Sequence, residues 1–446
     1  MKGQLKTGDM LAVGLMMFAL FLGAGNLIFP PLLGQESGTN VWVAIIGFLV
    51  TGVGLPLLAV IAIAQVRGDL QALSKRVHPM FGWIFPLVCY LAIGPFFGIP
   101  RTGTVSFEMS VKPFLSEALL DKWYILFIYT VVYFAVTWYL SLNPTQLVDW
   151  FGKVVTPLLV VIVAVIVGKA VIDPVGEFGK PTEAYAQDAF FTGFIQGFLT
   201  MDAISALVLG IVIVQAIKAR GVTNNKVIVK STITAGVIAA IGLVLIYLSL
   251  AYVGASSVEL GRLDNGGMIL TGVVNYLFGT TGKMLLGLAI TFACLTTSVG
   301  LTSACAEFFA KMFPKFSYKT IVTIICVFSL FVSNLGLTQL IKVTLPVLIA
   351  IYPVAIVLVL LSFVQKYLEG KETVYTGAVI GAFAVSILNA LESAGMSFGS
   401  LSELLQMLPL YSSGIGWIVP SILGGYLGLL AANKNKHVPM EQKRSA

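Results

Sequence analysis

Three short polar stretches interrupt long apolar segments of this chain. They are Gly23-Ala24-Gly25-Asn26, "GFLTMDAIS" at 197–205, and three consecutive hydroxyl residues at 296–298. A broken helix exposes backbone N–H groups at the positive end of its dipole, and these can hold an anion. Unwound carbonyls and neighbouring hydroxyls are hard oxygen ligands for a cation. A helix N-terminus and unwound carbonyls together predict a site for a zwitterion. Because the hydroxyl run contains no carboxylate, it predicts a site for a monovalent cation.

Each stretch also has a purely structural explanation. Small residues in membrane helices often permit close packing, so the first break can be a packing kink. Asp202 can cap the helix that follows it, although an ionisable residue within a span is usually functional or paired. The hydroxyls of Thr296 and Thr297 can bond back to carbonyls four residues earlier. The residues alone leave these alternatives open.

The segments that carry these stretches must lie in lipid. Of 446 residues, 58% are hydrophobic and 11% are charged, and the mean hydropathy is +0.96. Soluble proteins carry about 25% charged residues, and a core at this length cannot hide so much apolar surface. The composition predicts an all-α polytopic membrane protein. The sequence contains no nucleophile–base set, paired carboxylates or phosphate-binding loop, so it does not indicate an enzyme. We interpret the four cysteines as small packing residues.

Apolar stretches of about 20 residues predict twelve transmembrane helices. They are centred in 7–29, 41–65, 80–99, 122–140, 150–169, 190–215, 230–253, 283–308, 319–334, 338–362, 374–391 and 410–432. The apolar piece within 254–282 is too short to span, so we expect an interfacial or re-entrant helix there.

The basic residues orient these spans. They concentrate at both termini and in the loops after even-numbered spans, whereas the opposite loops also carry acids. The positive-inside rule then predicts cytoplasmic termini in the cell membrane. This asymmetry explains the net charge of +7 without nucleic-acid binding. Arg101 falls in an outer loop, where we expect water to solvate it, with pairing to Glu108 or a place in the outer vestibule as alternatives.

The first two breaks lie five spans apart. An odd number of spans per repeat inverts the second copy, and broken helices at matching positions of inverted repeats mark a transporter's binding site. The sequence therefore predicts that both breaks meet at one site.

Three motifs resemble the branched-chain amino acid:cation symporter family. They are "GAGNLIFPPLLGQESG", "FGIPRTGTVSFE" and "FACLTTS". The resemblance implies the five-plus-five inverted-repeat fold of the bacterial leucine transporter, with repeats at about 7–170 and 188–362. Two extra C-terminal helices would occupy about 374–432. The resemblance also implies that sodium is the coupling ion and that no cofactor is needed.

The resemblance implies a sodium site between spans 1 and 8. Its ligands would be the carbonyls of Ala19, Leu22 and Ala293 and the hydroxyls of Thr296 and Thr297. The leucine transporter follows its asparagine with a gating arginine, whereas Leu27 follows Asn26 here. That outer gate is therefore not carried over. The leucine transporter has no aspartate in span 6 that corresponds to Asp202, so a second sodium site is not carried over either.

The expected activity is sodium-driven uptake of leucine, isoleucine and valine. The substrate carboxylate would meet Gly23, Ala24 and Gly25, with Asn26 in the same region. The ammonium would meet span 6 carbonyls near Phe198 and Thr200, together with Asp202. Candidates for the side-chain pocket are Phe198, Leu295 and Leu301. Proton coupling through Asp202 is the alternative, and a receptor that does not transport is a more remote one.

Overall fold

The computed structural model describes residues 5–66, 69–120, 122–142, 144–368 and 371–436, and every regular element in these ranges is a helix. Apolar segments favour helices because a helix satisfies its own backbone hydrogen bonds where no water is present. The helices of the first half are α1 (Thr7–Phe21), α2 (Ala24–Ser37), α3 (Val41–Leu49), α4 (Leu55–Val66), α5 (Leu70–Ser74), α6 (Phe81–Leu91), α7 (Gly98–Ser110), α8 (Glu117–Leu120), α9 (Trp123–Ser141) and α10 (Pro144–Ile172).

The second half is also helical. Its helices are α11 (Glu183–Gln187), α12 (Ala189–Gln196), α13 (Asp202–Ala219), α14 (Asn225–Ala255), α15 (Gly266–Met312), α16 (Tyr318–Ser333), α17 (Leu337–Phe363), α18 (Glu372–Ser393), α19 (Ser400–Gln406) and α20 (Ile418–Lys436). Within the described ranges, eight continuous helical stretches are long and apolar enough to cross a bilayer, and shorter apolar helices lie before, between and after them. The protein is thus a multi-pass membrane protein.

The first predicted span ends later than expected. It was predicted over 7–29, but α2 continues through Pro30 and Pro31 to Ser37. Proline is tolerated in a membrane helix where neighbouring helices surround it, and α2 is buried along almost its whole length. At Gly34, a Cβ atom would overlap the backbone of α14, so glycine permits this close contact.

The third predicted span is also longer than 80–99, and this changes the surroundings of Arg101. After α6, a wide π-helical turn at Ala92–Phe96 contains Gly94 with non-helical φ −87° and ψ −119°. The chain then continues as α7, in which all residues from Gly98 to Met109 are buried. The expectation of a water-solvated loop charge at Arg101 is wrong, because the kink redirects the span without ending it.

The apolar piece after the seventh predicted span forms the first part of α15. This helix begins at Gly266 and kinks at Gly279, where φ is 62° and ψ is −156°. Glycine is the residue best suited to that positive φ. The last predicted span begins at Ile418 instead of 410, since turns occupy the preceding residues. Its helix, α20, packs against α18 with Gly377 and Gly424 in direct backbone contact.

Candidate functional site

The first helix break lies at Leu22 and Gly23. Helix α1 ends at Phe21, and α2 begins at Ala24. The Gly23 N–H donates to the Phe21 carbonyl at 2.8 Å and to Asn26 Oδ1 at 3.0 Å. The Asn26 side chain therefore caps the break that precedes it by three residues, in the manner of a helix N-cap partner.

This arrangement changes two carbonyls on the α1 side. In a continuous helix, the Gly23 N–H would bond to the Ala19 carbonyl and the Asn26 N–H to the Leu22 carbonyl. Instead, the Asn26 N–H donates to the Gly23 carbonyl at 3.2 Å. The carbonyls of Ala19 and Leu22 thus lose their usual helical donors, and such carbonyls are available to other ligands.

The second break separates α12 from α13. A 3₁₀ turn at Gly197–Thr200 follows α12, and Met201 then adopts the left-handed conformation with φ 63° and ψ 11°. The Thr200 hydroxyl donates to the Gly197 carbonyl at 2.9 Å and accepts the Asp202 N–H at 3.3 Å. Left-handed backbone is costly for a residue with a side chain, and such residues are common at functional sites.

Both breaks face one cavity of about 50 Å³. The residues at its wall are Leu20, Phe21, Gly23, Ala24, Gly25, Asn26, Ile93, Gly98, Arg101, Thr102, Thr200, Met201, Asp202, Ser205, Leu209, Thr297 and Leu301. The first N–H groups of α2 belong to Ala24 and Gly25, and the initial N–H groups of a helix have no partner within it. The wall combines these donors with one basic and one acidic side chain, Arg101 and Asp202.

A hydrogen-bonded triad joins the two breaks across the cavity wall. Asn26 Nδ2 donates to Asp202 Oδ2 at 2.6 Å and also contacts the Tyr247 hydroxyl. The Tyr247 hydroxyl donates to the same Asp202 oxygen at 3.0 Å. All three side chains are buried, so removing one partner leaves a buried polar group unsatisfied. Tyr247 gave no signal in the sequence, because it lies within the apolar pattern of α14.

Arg101 supplies a second bridge, from α7 to the span 6 break. Its Nη1 donates to the Leu199 carbonyl, and Nη2 donates to the Thr200 carbonyl at 3.2 Å. The guanidinium also lies over the Phe29 ring, 5.2 Å from its centroid. The carbonyls expected to receive a substrate ammonium thus already accept hydrogen bonds from arginine. The alternative pairing of Glu108 with Arg101 does not occur, because Glu108 pairs with Lys112 at 2.7 Å.

The hydroxyl run of span 8 lies on α15. The Thr296 hydroxyl donates to the Phe292 carbonyl at 2.9 Å, and the Thr297 hydroxyl donates to the Ala293 carbonyl at 3.0 Å. The structural alternative, bonding to the carbonyl four residues earlier, is therefore present at both positions. Only Thr297 lines the cavity, and a Cβ on Gly23 would lie 3.8 Å from its hydroxyl oxygen.

The predicted side-chain pocket is only partly assembled at the cavity. Leu301 lines it, whereas Phe198 and Leu295 do not belong to its described wall. Phe198 is fully buried and stacks on Tyr352, with ring centroids 4.2 Å apart. Leu295 packs against the main hydrophobic core. The apolar wall instead includes Leu20, Phe21, Ile93 and Leu209, which the sequence did not single out among its many similar residues.

A second cavity of about 650 Å³ lies beside the first. It is formed by α6, α13 and α15, and Leu209 lines both cavities. Tyr90 and Phe308 stack within its wall at 3.8 Å between ring centroids. One leucine side chain is therefore part of the partition between the small polar cavity and the larger one.

This architecture has counterparts of known structure. Mhp1, a transporter of the nucleobase-cation-symport-1 family solved in a closed conformation with bromovinylhydantoin bound, superposes with a TM-score of 0.63. The match covers 96% of this chain and 93% of Mhp1 at 14% identity, so it shows a common fold. The protein therefore shares the helical fold of Mhp1.

Sequence relatives define the family. A model described as "Branched-chain amino acid transport protein" matches residues 6–435. The branched-chain amino acid permease BraB of Bacillus subtilis is 50% identical, with 96% of each chain covered. The permease BrnQ of the same organism is 48% identical, covering 96% of this chain and 98% of BrnQ. The chain belongs to the branched-chain amino acid transport protein family, a family of transporters and not of enzymes.

Proposed function

We propose that this protein takes up leucine, isoleucine and valine across the cell membrane by sodium symport. The observation that carries the proposal is the cavity between two helix breaks, whose wall holds one basic and one acidic side chain, Arg101 and Asp202. Such a wall is complementary to a zwitterion, and the relatives BraB and BrnQ are named as branched-chain amino acid permeases.

The substrate carboxylate would accept hydrogen bonds from the N–H groups of Ala24 and Gly25, where the dipole of α2 is positive. The ammonium would meet Asp202. The branched side chain would contact the apolar part of the wall, including Leu20 and Leu301. An apolar pocket distinguishes one methylene by about 1–3 kcal/mol, so we expect loose selection among the three amino acids.

Sodium would bind between α1 and α15. The proposed ligands are the carbonyls of Ala19, Leu22 and Ala293 and the hydroxyls of Thr296 and Thr297. Two features support this set: the break removes the helical donors of two of these carbonyls, and the Thr297 hydroxyl lies close to the break. Bound sodium would favour the state that binds substrate, and coupling follows from this difference in affinity.

We further infer twelve spans with cytoplasmic termini. The chain would contain two repeats related by inversion, at about 7–170 and 188–362. The broken span α1–α2 of the first repeat would then correspond to the broken span α12–α13 of the second. The helices at about 374–432 would lie outside the repeats. The cavity lined by Glu307 and Lys311 would then open toward the cytoplasm, and the membrane potential would help to drive the cation inward.

The decisive experiment measures uptake of labelled leucine into proteoliposomes with and without a sodium gradient. We expect uptake to require sodium. Thr297→Ala should raise the sodium concentration for half-maximal uptake by about tenfold, since a cation ligand is lost, and Thr297→Ser should largely preserve it. Thr232→Ala is the matched control, because its hydroxyl bonds to the Ile228 carbonyl in α14 with the same i−4 geometry.

Other outcomes would assign a different activity. Uptake that persists without sodium, rises as pH falls and is lost in Asp202→Asn would establish proton coupling. Leucine binding without counterflow in sealed vesicles would support a receptor. If Thr296→Ala and Thr297→Ala both keep the sodium dependence of the wild type, the proposed ion site is contradicted.

A further inference from the structure

Arg101 is a buried cation with no carboxylate in salt-bridge contact among the described residues. It is 7% exposed and lines the cavity between the two helix breaks. Burying a charge is costly unless it is paired and hydrogen-bonded. Its two bonds to the Leu199 and Thr200 carbonyls meet part of that requirement. A fixed charge in the wall of a binding cavity also selects for the charge of the ligand.

The guanidinium lies next to the N-terminus of α2. A Cβ atom on Gly25 would come within 2.9 Å of Arg101 Nη2. The absence of a side chain at Gly25 therefore leaves room for the guanidinium beside the first N–H groups of that helix. Two positive features, the N-terminus of α2 and the Arg101 guanidinium, thus lie next to each other in the cavity wall.

Arg101 retains donors for a ligand. A guanidinium carries five N–H groups in a planar fork, and the two carbonyl bonds use one from each terminal nitrogen. A carboxylate is the group whose geometry best matches such a fork. The acidic side chain in the cavity wall is Asp202, which Asn26 and Tyr247 hold in place.

We propose that Arg101 binds the α-carboxylate of the substrate together with the N–H groups of Ala24 and Gly25. Arg101 thereby restricts the substrates to molecules that carry a free carboxylate, while Asp202 would select for the ammonium group. The same side chain joins the carboxylate to the span 6 break, so that one residue contacts the substrate and both broken helices. This inference rests on the proposed amino acid transport.

The test compares leucine with leucinamide, which keeps the ammonium and the side chain but has no carboxylate. Dissociation constants are measured by titration calorimetry on purified wild type, Arg101→Gln and Arg101→Lys in sodium-containing buffer. In the wild type, leucine should bind at least about tenfold more tightly than leucinamide. In Arg101→Gln, leucine binding should weaken by about 10–100-fold while leucinamide changes by less than about threefold.

A purely structural role predicts a different pattern. If Arg101 only holds the span 6 carbonyls, Arg101→Gln should bind leucine and leucinamide more weakly by the same factor. That result overturns the proposal. Arg101→Lys keeps the charge and loses the fork, so its preference for leucine should be intermediate. If Arg101→Gln does not fold, as judged by thermal melting, Arg101→Lys decides the question by the same ratio.

The failure of the two proposals can be distinguished. A folded wild type that does not bind leucine overturns the proposed function and this inference with it. A wild type that binds and transports leucine, but prefers leucine over leucinamide equally with or without the Arg101 guanidinium, overturns only the role of Arg101.

Discussion

The two helix breaks at the cavity are built in different ways. At the first break, Gly23 is extended with φ −108° and ψ −172°, and the Asn26 side chain three residues later accepts its N–H. At the second, Met201 has φ 63°, and carbonyls of the preceding turn are held by Arg101 from α7. The backbone of the first break is capped by its own sequence neighbours. The second break has local bonds through Thr200 and is also held by a residue 98 positions away.

This difference suggests different roles for the two breaks. The hydrogen bonds of the Gly23 N–H lie within one segment, so we expect the backbone of the first break to keep its shape when neighbouring helices move. A break held by another helix changes when that helix moves or when a ligand competes for the same donors. We therefore expect the first break to act as a fixed anion-binding terminus and the second to respond to the substrate.

The largest expected effect concerns Asp202, whose hydrogen bond with Asn26 joins the two breaks. Asp202→Asn removes the acidic group from the cavity wall, while the new carbonyl oxygen can still accept from Asn26 and Tyr247. Loss of a charge-assisted contact to the substrate ammonium should lower kcat/KM for leucine uptake by about 100-fold. Initial rates in proteoliposomes measure this effect.

The control for this change is Tyr247→Phe. It removes one donor to Asp202 and keeps the charge, so the loss should be smaller, about five- to tenfold. If Asp202→Asn transports leucine within threefold of wild type, the carboxylate does not serve as the negative side of the site.

An intermediate effect should distinguish two glycines of the first break. A Cβ on Gly25 would lie 2.9 Å from Arg101 Nη2 and 3.2 Å from the Phe29 ring, whereas at Gly23 the nearest atoms are 3.6 Å away. Gly25→Ala should therefore displace Arg101 and reduce leucine affinity by about tenfold, a cost typical of overpacking. Gly23→Ala, whose φ suits any residue, should change it by less than about threefold. Calorimetric binding of leucine tests the pair, and equal losses would contradict the local geometry described for Gly25.

The smallest expected effect concerns the backbone of the second break. Met201→Gly and Met201→Ala both remove the buried methionine side chain, and the two variants differ by one methyl group. Because a positive φ disfavours alanine by roughly 1 kcal/mol, the glycine variant should be the more stable of the two. Thermal melting in detergent compares them.

A position in regular helix gives the matching control. Ala206 lies buried within α13, so Ala206→Gly should destabilise the protein by about 0.5–1 kcal/mol. If glycine also destabilises relative to alanine at position 201, the left-handed conformation does not persist in the protein in solution.

The sequence determined the features that depend on composition and local spacing. Its apolar content required a membrane-spanning helical protein, and the glycines before Asn26 were sufficient to predict the first break. Asp202 and Thr297 were identified because polar groups are conspicuous in apolar segments, and both line the cavity. The role of each in binding substrate or sodium stays a prediction.

Only the tertiary structure decided which distant groups meet. Asn26 and Asp202 are 176 positions apart, and Tyr247 joins them from a helix that is apolar in sequence. The wide turn at Ala92–Phe96 carries Arg101 into the cavity instead of the outer loop. Such outcomes depend on helix direction and packing, which are set by many weak contacts across the fold, whereas a break or a span depends on a few neighbouring residues.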